Sequence, residues 1–379
     1  MELINNKMRI SLIGPVYPYR GGISHFNSRL AQEIIKSGHE IQAISFSRQY
    51  PAWLYPGKSD KDPSNEYLQV DASYMLDPIY PWTWVKTLKE IKSWNPDIVL
   101  IEWWTTFWAP AFAYISHQLK KDVKIIFLIH NVLPHEAKWF DSLLAKLALN
   151  QANKYIVQVK SQREKLQQLI PDADPIVVEH PLYDQFSKKR MDKKEARRML
   201  GLPQDSSILL FFGIVRPYKG LSYLIKSLAL VYQKGYSPLL IVAGEFWENI
   251  RKYQHLIDQL KLYDKVIIHN RYIPNEEVGL YFSAADAFIA PYVNATQSGV
   301  IKIALTFGLP VIISQVLMSE ELNNPSYHLY QVIPQDVDAL AITIEQCLLE
   351  NKKIQDICQS QSEVKDWNNL VTTLNSLIN

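Results

Sequence analysis

One pattern occurs in both halves of the chain and constrains its fold: an apolar strand that ends at a glycine, followed by a loop and an amphipathic helix. The first such strand is predicted over residues 8–14 and ends at Gly14, and the second covers residues 207–213 and ends at Gly213. A further apolar strand follows each helix. This order of elements opens a doubly wound parallel sheet. The sequence therefore predicts the α/β class, with one such sheet in each half.

The bulk composition narrows the class of protein. The length of 379 residues exceeds what one ordinary hydrophobic core supports, so two domains are expected. The formal net charge of +2 leaves no basic excess for neutralising phosphates, so nucleic acid is not an expected partner. Cys347 and Cys358 lack metal-ligand spacing and fit core packing in a reducing compartment. Without a secretory signal pattern or an apolar run near ~20 residues, the protein is expected in the cytoplasm.

Aromatic and basic residues are unevenly distributed. Eight of the ten tryptophans lie before residue 140. Such rings suit a filled core, a sugar-stacking surface or a membrane interface, and the sequence leaves all three open. Residues 47–80, rich in Tyr, Pro, Ser and Asp, are expected to be irregular. Seven Lys and Arg residues between 183 and 198 favour a solvated linker and helix face, with contact to anionic lipid head groups as the alternative.

Polar and aromatic clusters follow four predicted strands of the first half. They cover residues 20–22, 102–105, 130–136 and 180–184. Because the carboxyl ends of strands border the ligand crevice of an open α/β sheet, these clusters are candidates for a ligand site. His130, followed by Asn131, favours a functional role, whereas for His135 and His180 a structural and a functional role are equally open. The loop after the first strand lacks the Gly-x-Gly-x-x-Gly dinucleotide fingerprint.

In the second half, a loop of small polar residues at 294–299 lies between an apolar strand and a helix. Ser298 is positioned to cap this helix, and Gly299 lets a ligand approach its backbone closely. A helix N-terminus presents N–H groups and a partial positive charge that suit a phosphate. An ordinary capped helix is the alternative interpretation.

Further groups follow the other predicted strands of the second half. They are Gly213, Arg216, Lys219, Gly244, Glu245, Tyr272 and Ile273, which join Thr296, Gln297, Ser298 and Gly299. Two cations, glycine-rich backbone and a helix N-terminus at one edge of a sheet predict a diphosphate site.

With these motifs the chain resembles the retaining glycosyltransferases of family 4, and among them a bacterial subgroup with a Thr-Gln-Ser-Gly-Val donor loop, here residues 296–300. The other motifs that carry the resemblance are residues 20–22, 130–136, 214–220, 242–245, 271–277 and 284–286. The resemblance implies the GT-B architecture, in which two Rossmann-like, doubly wound domains face a central cleft. It implies an acceptor-binding domain over residues 1–183, a linker and first helix over 184–204, a nucleotide-sugar-binding domain over 205–362, and a final helix over 363–379 that packs back on the first domain.

The resemblance also implies an activity and its residues. A sugar would pass from a UDP- or GDP-linked donor to a glycan or lipid-linked acceptor, with retention of anomeric configuration and without metal or cofactor. The reaction would serve cell-surface polysaccharide synthesis in the cytoplasm, where peripheral contact with the inner face of the membrane is compatible with it. The implied catalytic residues are His130, Arg216 and Lys219. Donor binding is implied for Gly213, Gly244, Glu245, Tyr272, Ile273, Thr296, Gln297, Ser298 and Gly299, and the acceptor side for Arg20, Gly21, Gly22, Glu102, Trp103 and Asn131.

Two motifs depart from the family pattern. The family has Arg-x4-Lys after the first strand of its donor domain; here Lys219 falls on the lysine position, but Ile214 falls on the arginine position and Arg216 comes two residues later. The family also has two glutamates around the donor loop, where this chain has Ala295 and Ile303. The second glutamate normally holds the ribose hydroxyls, a role that Gln297 or Glu245 would have to fill.

Two alternatives of the same architecture stay open. One is a nucleotide-sugar epimerase, for which Glu102, Glu136 and Glu245 are the available acid and base groups. The other is a non-catalytic, sugar-binding relative, which the missing glutamates suggest.

Overall fold

The structure, a computed structural model, describes residues 7–51, 55, 57–65, 68–134, 137–295, 298–319, 322–354 and 367–377. These residues divide into two compact units. Unit 1 contains the described residues of Met1–Asp62, Tyr67–His180 and Asp366–Asn379, and unit 2 contains those of Pro63–Glu66 and Pro181–Lys365. Unit 1 is therefore assembled from segments that are far apart in the sequence.

Unit 1 is a parallel sheet with helices on its faces. Its strands are β1 (Arg9–Ile13), β2 (Glu40–Phe46), β3 (Ala72–Leu76), β4 (Ile98–Trp103), β5 (Lys124–Ile129), β6 (Lys154–Val157) and β7 (Pro175–Val177). Its first five helices are α1 (Gly22–Lys36), α2 (Pro81–Trp94), α3 (Ala109–Leu119), α4 (Asp141–Leu149) and α5 (Lys160–Leu169). The strand order is β3-β2-β1-β4-β5-β6-β7. Every residue of β4 is buried, as expected for a parallel strand that is covered on both faces.

Strand β3 corrects one sequence prediction. The expectation of irregular structure over residues 47–80 is wrong for Ala72–Leu76, which pairs in parallel with β2. The strand stands at the edge of the sheet and only its last residue, Leu76, is buried. An edge strand of this kind does not need the continuous apolar run by which the central strands are identified.

The tryptophans of unit 1 divide between core and surface. Trp103 and Trp108 are fully buried, and Trp108 stacks on Phe46 with ring centroids 4.2 Å apart. Trp82 and Trp139, by contrast, are 65% and 87% exposed. The rings of Trp82 and Trp139 are therefore available to a partner, whereas those of Trp103 and Trp108 fill the core.

Unit 2 repeats the plan of unit 1 with a smaller parallel sheet. Its helices are α6 (Asp184–Ser187), α7 (Lys193–Met199), α8 (Leu221–Gln233), α9 (Arg251–Gln259), α10 (Asn275–Ala284), α11 (Gly299–Thr306) and α12 (Val337–Ile354). Its strands are β8 (Ile208–Phe212), β9 (Leu239–Ala243), β10 (Val266–His269), β11 (Ala287–Ala290), β12 (Val311–Ser314) and β13 (Leu329–Val332), in the order β10-β9-β8-β11-β12-β13. Cys347 of α12 is buried in the core, as predicted, whereas Cys358 lies outside the described residues.

The basic segment before β8 is only partly the solvated face that the sequence predicts. Arg197 is buried, and its Nη2 donates to Oδ2 of Asp286 at 2.6 Å. The same carboxylate oxygen accepts from the backbone N–H of Ile208 at 2.6 Å, and Lys193 pairs with Oδ1 at 2.9 Å. The prediction is wrong for Arg197, because the acid that compensates its charge lies far away in the sequence, just before β11.

The last helix, α13 (Asn368–Ser376), belongs to unit 1. Trp367, directly before it, is 2% exposed, and its ring centroid lies 5.2 Å from that of Phe26 on α1. The guanidinium carbon of Arg29 lies 5.2 Å from the same tryptophan ring. Leu370 and Leu374 are also buried. Trp367 thus packs against α1 at the start of this helix. Among all described helices, none combines the length and the apolar character that crossing a bilayer requires.

Trp367→Ala should lower the free energy of unfolding by about 3–5 kcal/mol, because a large buried ring is replaced by a cavity against α1. Asn369→Ala, an exposed change in the same helix, is the matched control and should alter it by less than about 0.5 kcal/mol. Calorimetry of both variants measures the difference. Equal melting temperatures would show that Trp367 does not anchor the helix.

Candidate functional site

In unit 2, two glycines lie at the carboxyl ends of neighbouring strands. Gly213 follows β8 with φ +97°, and Gly244 follows β9 with φ +155°. A Cβ on Gly244 would lie 2.0 Å from the carbonyl oxygen of Gly213, so no side chain fits between the two backbones. The two strand ends therefore approach each other as closely as backbone allows, which leaves peptide groups at this edge of the sheet.

Lys219 reaches the same place from the loop after β8. It ends a short 3-10 turn, Pro217–Lys219, and Gly220 follows with φ +73°. A Cβ on Gly220 would lie 2.0 Å from the carbonyl oxygen of Pro291, so this glycine lets the loop pack against the end of β11. A Cβ on Gly213 would lie 3.1 Å from Nζ of Lys219, which places the ammonium group directly over that glycine.

The charge of Lys219 is poorly solvated. The residue is 7% exposed, and burial lowers its pKa; the nearby Tyr218 acts in the opposite direction, and the Arg216 charge lowers the pKa further. Within the described residues, no carboxylate lies within ion-pair distance of Nζ. A buried cation without a counter-ion is destabilising, and an anionic ligand would reverse that effect.

Arg216 lies beside two aromatic rings. Its guanidinium carbon is 5.6 Å from the ring centroid of Tyr218 and 5.7 Å from that of Trp247. Cation–π contacts of this length hold a guanidinium group without consuming its N–H donors. Arg216 and Lys219 thus form two cationic groups on one loop, as the sequence predicts.

Helix α11 begins at this edge of the sheet. Ser298 occupies its N-cap position, but its side chain makes no capping hydrogen bond; its Oγ instead lies 3.3 Å from the hydroxyl oxygen of Tyr292. Ser298 therefore occupies the predicted N-cap position, but its hydroxyl group bonds Tyr292 and not the backbone of the helix. Cγ2 of Val300, in the first turn, would lie 3.4 Å from a Cβ on Gly213, so this turn and Lys219 converge on one glycine. Thr296 and Gln297 lie outside the described residues.

The remaining donor-side candidates follow the ends of β9 and β10. Glu245 is buried, and its Oε2 accepts from the indole N–H of Trp247 at 3.3 Å. Tyr272 and Ile273 follow β10, with Ile273 buried. Ala295 and Ile303, at the positions of the two expected glutamates, are each 7% exposed. Ile303 thus contributes apolar packing where a ribose-binding carboxylate was expected.

In unit 1, the candidate residues center on a buried acid and a histidine. Oε2 of Glu102, at the end of β4, lies 2.7 Å from Nε2 of His130, which follows β5. Burial raises the pKa of Glu102, and the hydrogen bond and charge of His130 act against that rise. The His130 ring meets Phe26 edge-on at 5.1 Å between centroids. The acid and the phenyl ring together fix the orientation of the imidazole.

Two residues of this cluster escape the sequence prediction. A Cβ on Gly14 would lie 2.7 Å from Cγ of Glu102 and 2.6 Å from Nδ2 of Asn27, so the end of β1 needs a glycine there. Asn27 is fully buried, and its Nδ2 donates to the carbonyl of Pro15 at 2.9 Å. A polar residue within the apolar stripe of the first helix is the signal that could have identified Asn27.

The other acceptor-side candidates differ in what they can contact. Gly21 has φ +113° and precedes α1, which begins at Gly22. Nε of Arg20 donates to the hydroxyl of Tyr55 at 2.7 Å. Trp103 does not fit its predicted role: it is fully buried and its indole N–H donates to the carbonyl of Val132 at 3.1 Å, which leaves no ring face for an acceptor.

Four further residues that the sequence singles out belong to the first half of the chain. Asn131, directly after His130, is half-buried. His180 is buried with its ring 5.0 Å from that of Phe26, which favours the structural interpretation of this histidine. His135 and Glu136 fall outside the described residues. No group of three or more His, Cys, Asp or Glu side chains in the described ranges could hold a metal ion.

Two family models match the chain one after the other. Residues 20–184 match the model described as Glycosyltransferase Family 4, and residues 192–363 match the one described as Glycosyl transferases group 1. Together with the two parallel-sheet units, these matches show that the chain belongs to the glycosyltransferases with the GT-B fold. They confirm the predicted fold class and, of the predicted family, its broader level, the GT-B glycosyltransferases.

Solved structures share this fold. Sucrose-phosphate synthase from Thermosynechococcus elongatus superposes with a TM-score of 0.71 at 18% identity, over 98% of each chain. Anabaena Alr3699/HepE, solved in complex with UDP and glucose, gives a TM-score of 0.75 at 16% identity, over 98% of this chain and 100% of that one. At these identities the likeness shows the fold alone.

Curated relatives match over part of their length. The D-inositol 3-phosphate glycosyltransferase of Corynebacterium glutamicum is 29% identical over 178 residues, which are 43% of this chain and 42% of that protein. The uncharacterized glycosyltransferase MJ1607 of Methanocaldococcus jannaschii is 25% identical over 158 residues, 41% of this chain and 40% of that protein. The chain thus spans about two fifths of the length of these curated relatives.

Gly244→Ala tests the contact between the ends of β8 and β9. The new methyl group would meet the carbonyl of Gly213, so we expect a loss of roughly 3 kcal/mol or more in unfolding free energy. Gly235→Ala is the matched control, because Gly235 also has a positive φ, +88°, but open space around its Cβ position. It should cost only the backbone strain of about 1–2 kcal/mol. Calorimetry measures the unfolding free energy of both variants. Equal losses would mean that the close approach of the two strand ends is not required.

Proposed function

We propose that the protein transfers a sugar from a UDP- or GDP-linked donor to a glycan or lipid-linked acceptor, with retention of anomeric configuration. The observation that carries this proposal is the buried ammonium group of Lys219 over Gly213, where the first turn of α11 also arrives. A diphosphate supplies the negative charge that such a site lacks. Alr3699/HepE, a protein of the same fold, was solved in complex with UDP-glucose, which supports a nucleotide-sugar as the ligand class.

In the proposed reaction, the bond between the anomeric carbon and the diphosphate oxygen breaks while the acceptor oxygen bonds to the same carbon from the same face. The acceptor proton passes to an oxygen of the departing diphosphate. Lys219, Arg216 and the backbone N–H groups that begin α11 stabilise the negative charge that develops on the leaving group. These groups replace a divalent metal, so the reaction is proposed to be metal-independent. His130, oriented by Glu102, is proposed as the third catalytic group.

The biological setting is part of the same proposal. The family resemblance favours a role in cell-surface polysaccharide synthesis, with the protein in the cytoplasm and in peripheral contact with the inner face of the membrane. The exposed aromatic residues of unit 1 support contact with a lipid-linked acceptor more than contact with a free sugar.

The test is a panel of UDP- and GDP-sugars with and without added acceptors, in which release of nucleoside diphosphate is measured in the presence of EDTA. We expect release with one donor, and NMR of the product should show the anomeric configuration of that donor. A sugar that changes configuration without release would identify an epimerase instead. An absence of release with every donor, despite nucleotide binding, would support the non-catalytic alternative.

Lys219→Ala should reduce kcat/KM by roughly 100- to 1,000-fold, because the main stabilising charge for the leaving group is removed. The free energy of unfolding should not fall, since an unpaired buried cation disappears with the substitution. Lys226→Ala, on the exposed face of α8, is the matched control and should leave turnover unchanged. Undiminished turnover in Lys219→Ala would disprove the assignment of this site.

His130→Ala should lower kcat by roughly 10- to 100-fold through the loss of one hydrogen bond to the reacting sugar. Affinity for the free nucleoside diphosphate should stay the same, because the proposed diphosphate groups all belong to unit 2. His117→Ala, an exposed change on α3, serves as the control. The assignment fails if calorimetric titration shows that nucleotide affinity falls along with kcat.

A further inference from the structure

Helix α4 of unit 1 and the residues that lead into it expose apolar side chains where a surface helix normally carries polar ones. Trp139 is 87% exposed, Leu143 67% and Leu147 49%. Phe140 is exposed as well. Leu143 and Leu147 are four residues apart, so they lie on one face of the helix, opposite the buried Ala145, Ala148 and Leu149. The helix is thus apolar on both sides, and one side lacks a partner in the described part of the chain.

The charges around this face all have the same sign. Between residues 137 and 150, the exposed ionisable side chains are Lys138 and Lys146. The acid of this segment, Asp141, is buried, where it accepts from the hydroxyl of Thr106 and from the backbone N–H of Lys138. Between residues 137 and 150, the surface therefore presents aromatic and leucine side chains together with positive charge and no exposed carboxylate.

A second exposed aromatic group lies in the same helical layer. The rings of Tyr80 and Trp82, at the start of α2, stack with centroids 4.4 Å apart, and Trp82 is 65% exposed. The exposed ionisable residues that follow on α2 are Lys86, Lys89, Glu90 and Lys92, three cations and one acid. Helix α3 packs against both α2 and α4, so the three helices lie side by side on one face of the sheet.

The topology places both groups at one edge of this layer. A helix between two parallel strands runs antiparallel to them, so its N-terminus lies at the carboxyl edge of the sheet. Trp82 stands at the start of α2 and Trp139 directly before α4, which puts both at that edge. Glu102 and His130 also follow strands there. The exposed rings and the acceptor-side residues thus share one edge of the unit 1 sheet.

We infer that this surface, formed by Lys138, Trp139, Phe140, Leu143, Lys146 and Leu147 with Tyr80 and Trp82, docks unit 1 on an anionic lipid bilayer. Tryptophan and tyrosine rings occupy the interface between water and hydrocarbon, and leucines enter the acyl region. The cations are lysines, whose stems lie along apolar surface while their ammonium groups stay with lipid head groups. A protein partner fits less well, because protein interfaces are depleted in lysine.

Membrane docking rests on the proposed function in one respect: a lipid-linked acceptor would reach unit 1 from its membrane side. Lipid binding itself needs neither donor nor turnover. It can therefore be measured separately, and a failed vesicle experiment is distinguishable from a failed transferase assay.

The test is co-sedimentation with vesicles made of equal parts phosphatidylglycerol and phosphatidylcholine, compared with phosphatidylcholine alone. We expect binding to the anionic vesicles that weakens in about 0.5 M salt. Trp139→Ser combined with Leu143→Ser should weaken it at least about tenfold. The matched control is Ile35→Ser combined with Tyr263→Ser, two residues that are 55% and 74% exposed elsewhere on the chain, and it should bind like the wild type. Lys138→Gln combined with Lys146→Gln should remove the preference for anionic vesicles.

Several results would overturn the inference. The wild type could fail to sediment with anionic vesicles, or the control pair could weaken binding as much as the test pair. Light scattering could instead show a dimer that Trp139→Ser with Leu143→Ser dissociates, which would assign the surface to a second copy of the chain. Nucleoside diphosphate release with a soluble acceptor should be unchanged in the test pair, and a loss there would point to misfolding or a direct role in transfer.

Discussion

Both sheets of this protein are parallel throughout, and that constraint determines where its chemistry can lie. A parallel strand must be followed by a connection that returns to the opposite edge, so all strands of a sheet end at one edge. The interiors of the strands are occupied by apolar packing, as the complete burial of β4 and β8 shows. Polar and charged groups that could bind a ligand are therefore expected in the loops at the carboxyl edge of each sheet.

Glycine sets the geometry of that edge in unit 2. The end of β9 touches the end of β8 through backbone alone, and the loop with Lys219 touches the end of β11 in the same way at Gly220. Each contact brings peptide groups and one ammonium group closer together than side chains would permit. The result is a small region of positive potential that the protein does not neutralise with its own carboxylates within the described residues. Under the proposed function, this region would receive the diphosphate of a nucleotide-sugar.

Sequence reasoning was strongest where a local pattern determines the structure. The apolar run that ends at Gly213 identifies strand β8, and the loop with Arg216 and Lys219 follows it as expected. It was weakest where the burial or charge pairing of a residue depends on a part of the chain that is distant in sequence. Arg197 looks solvated in sequence because Asp286 is 89 positions away, and Trp103 looks available because nothing local shows that it packs inside. At Ile303 the sequence already shows the departure from the family pattern, and the structure adds that this side chain is buried.

The last helix has a consequence for how the chain becomes a folded protein. Helix α1 is synthesised before unit 2, yet the ring of Phe26 on α1 packs against Trp367, which follows unit 2 in the sequence. Synthesis proceeds from the N-terminus, so α1 lacks this contact while unit 2 is being made. The first unit to begin folding is thus the last to be completed, and a ribosome that stops early releases a chain with an apolar surface open to chaperones or proteases.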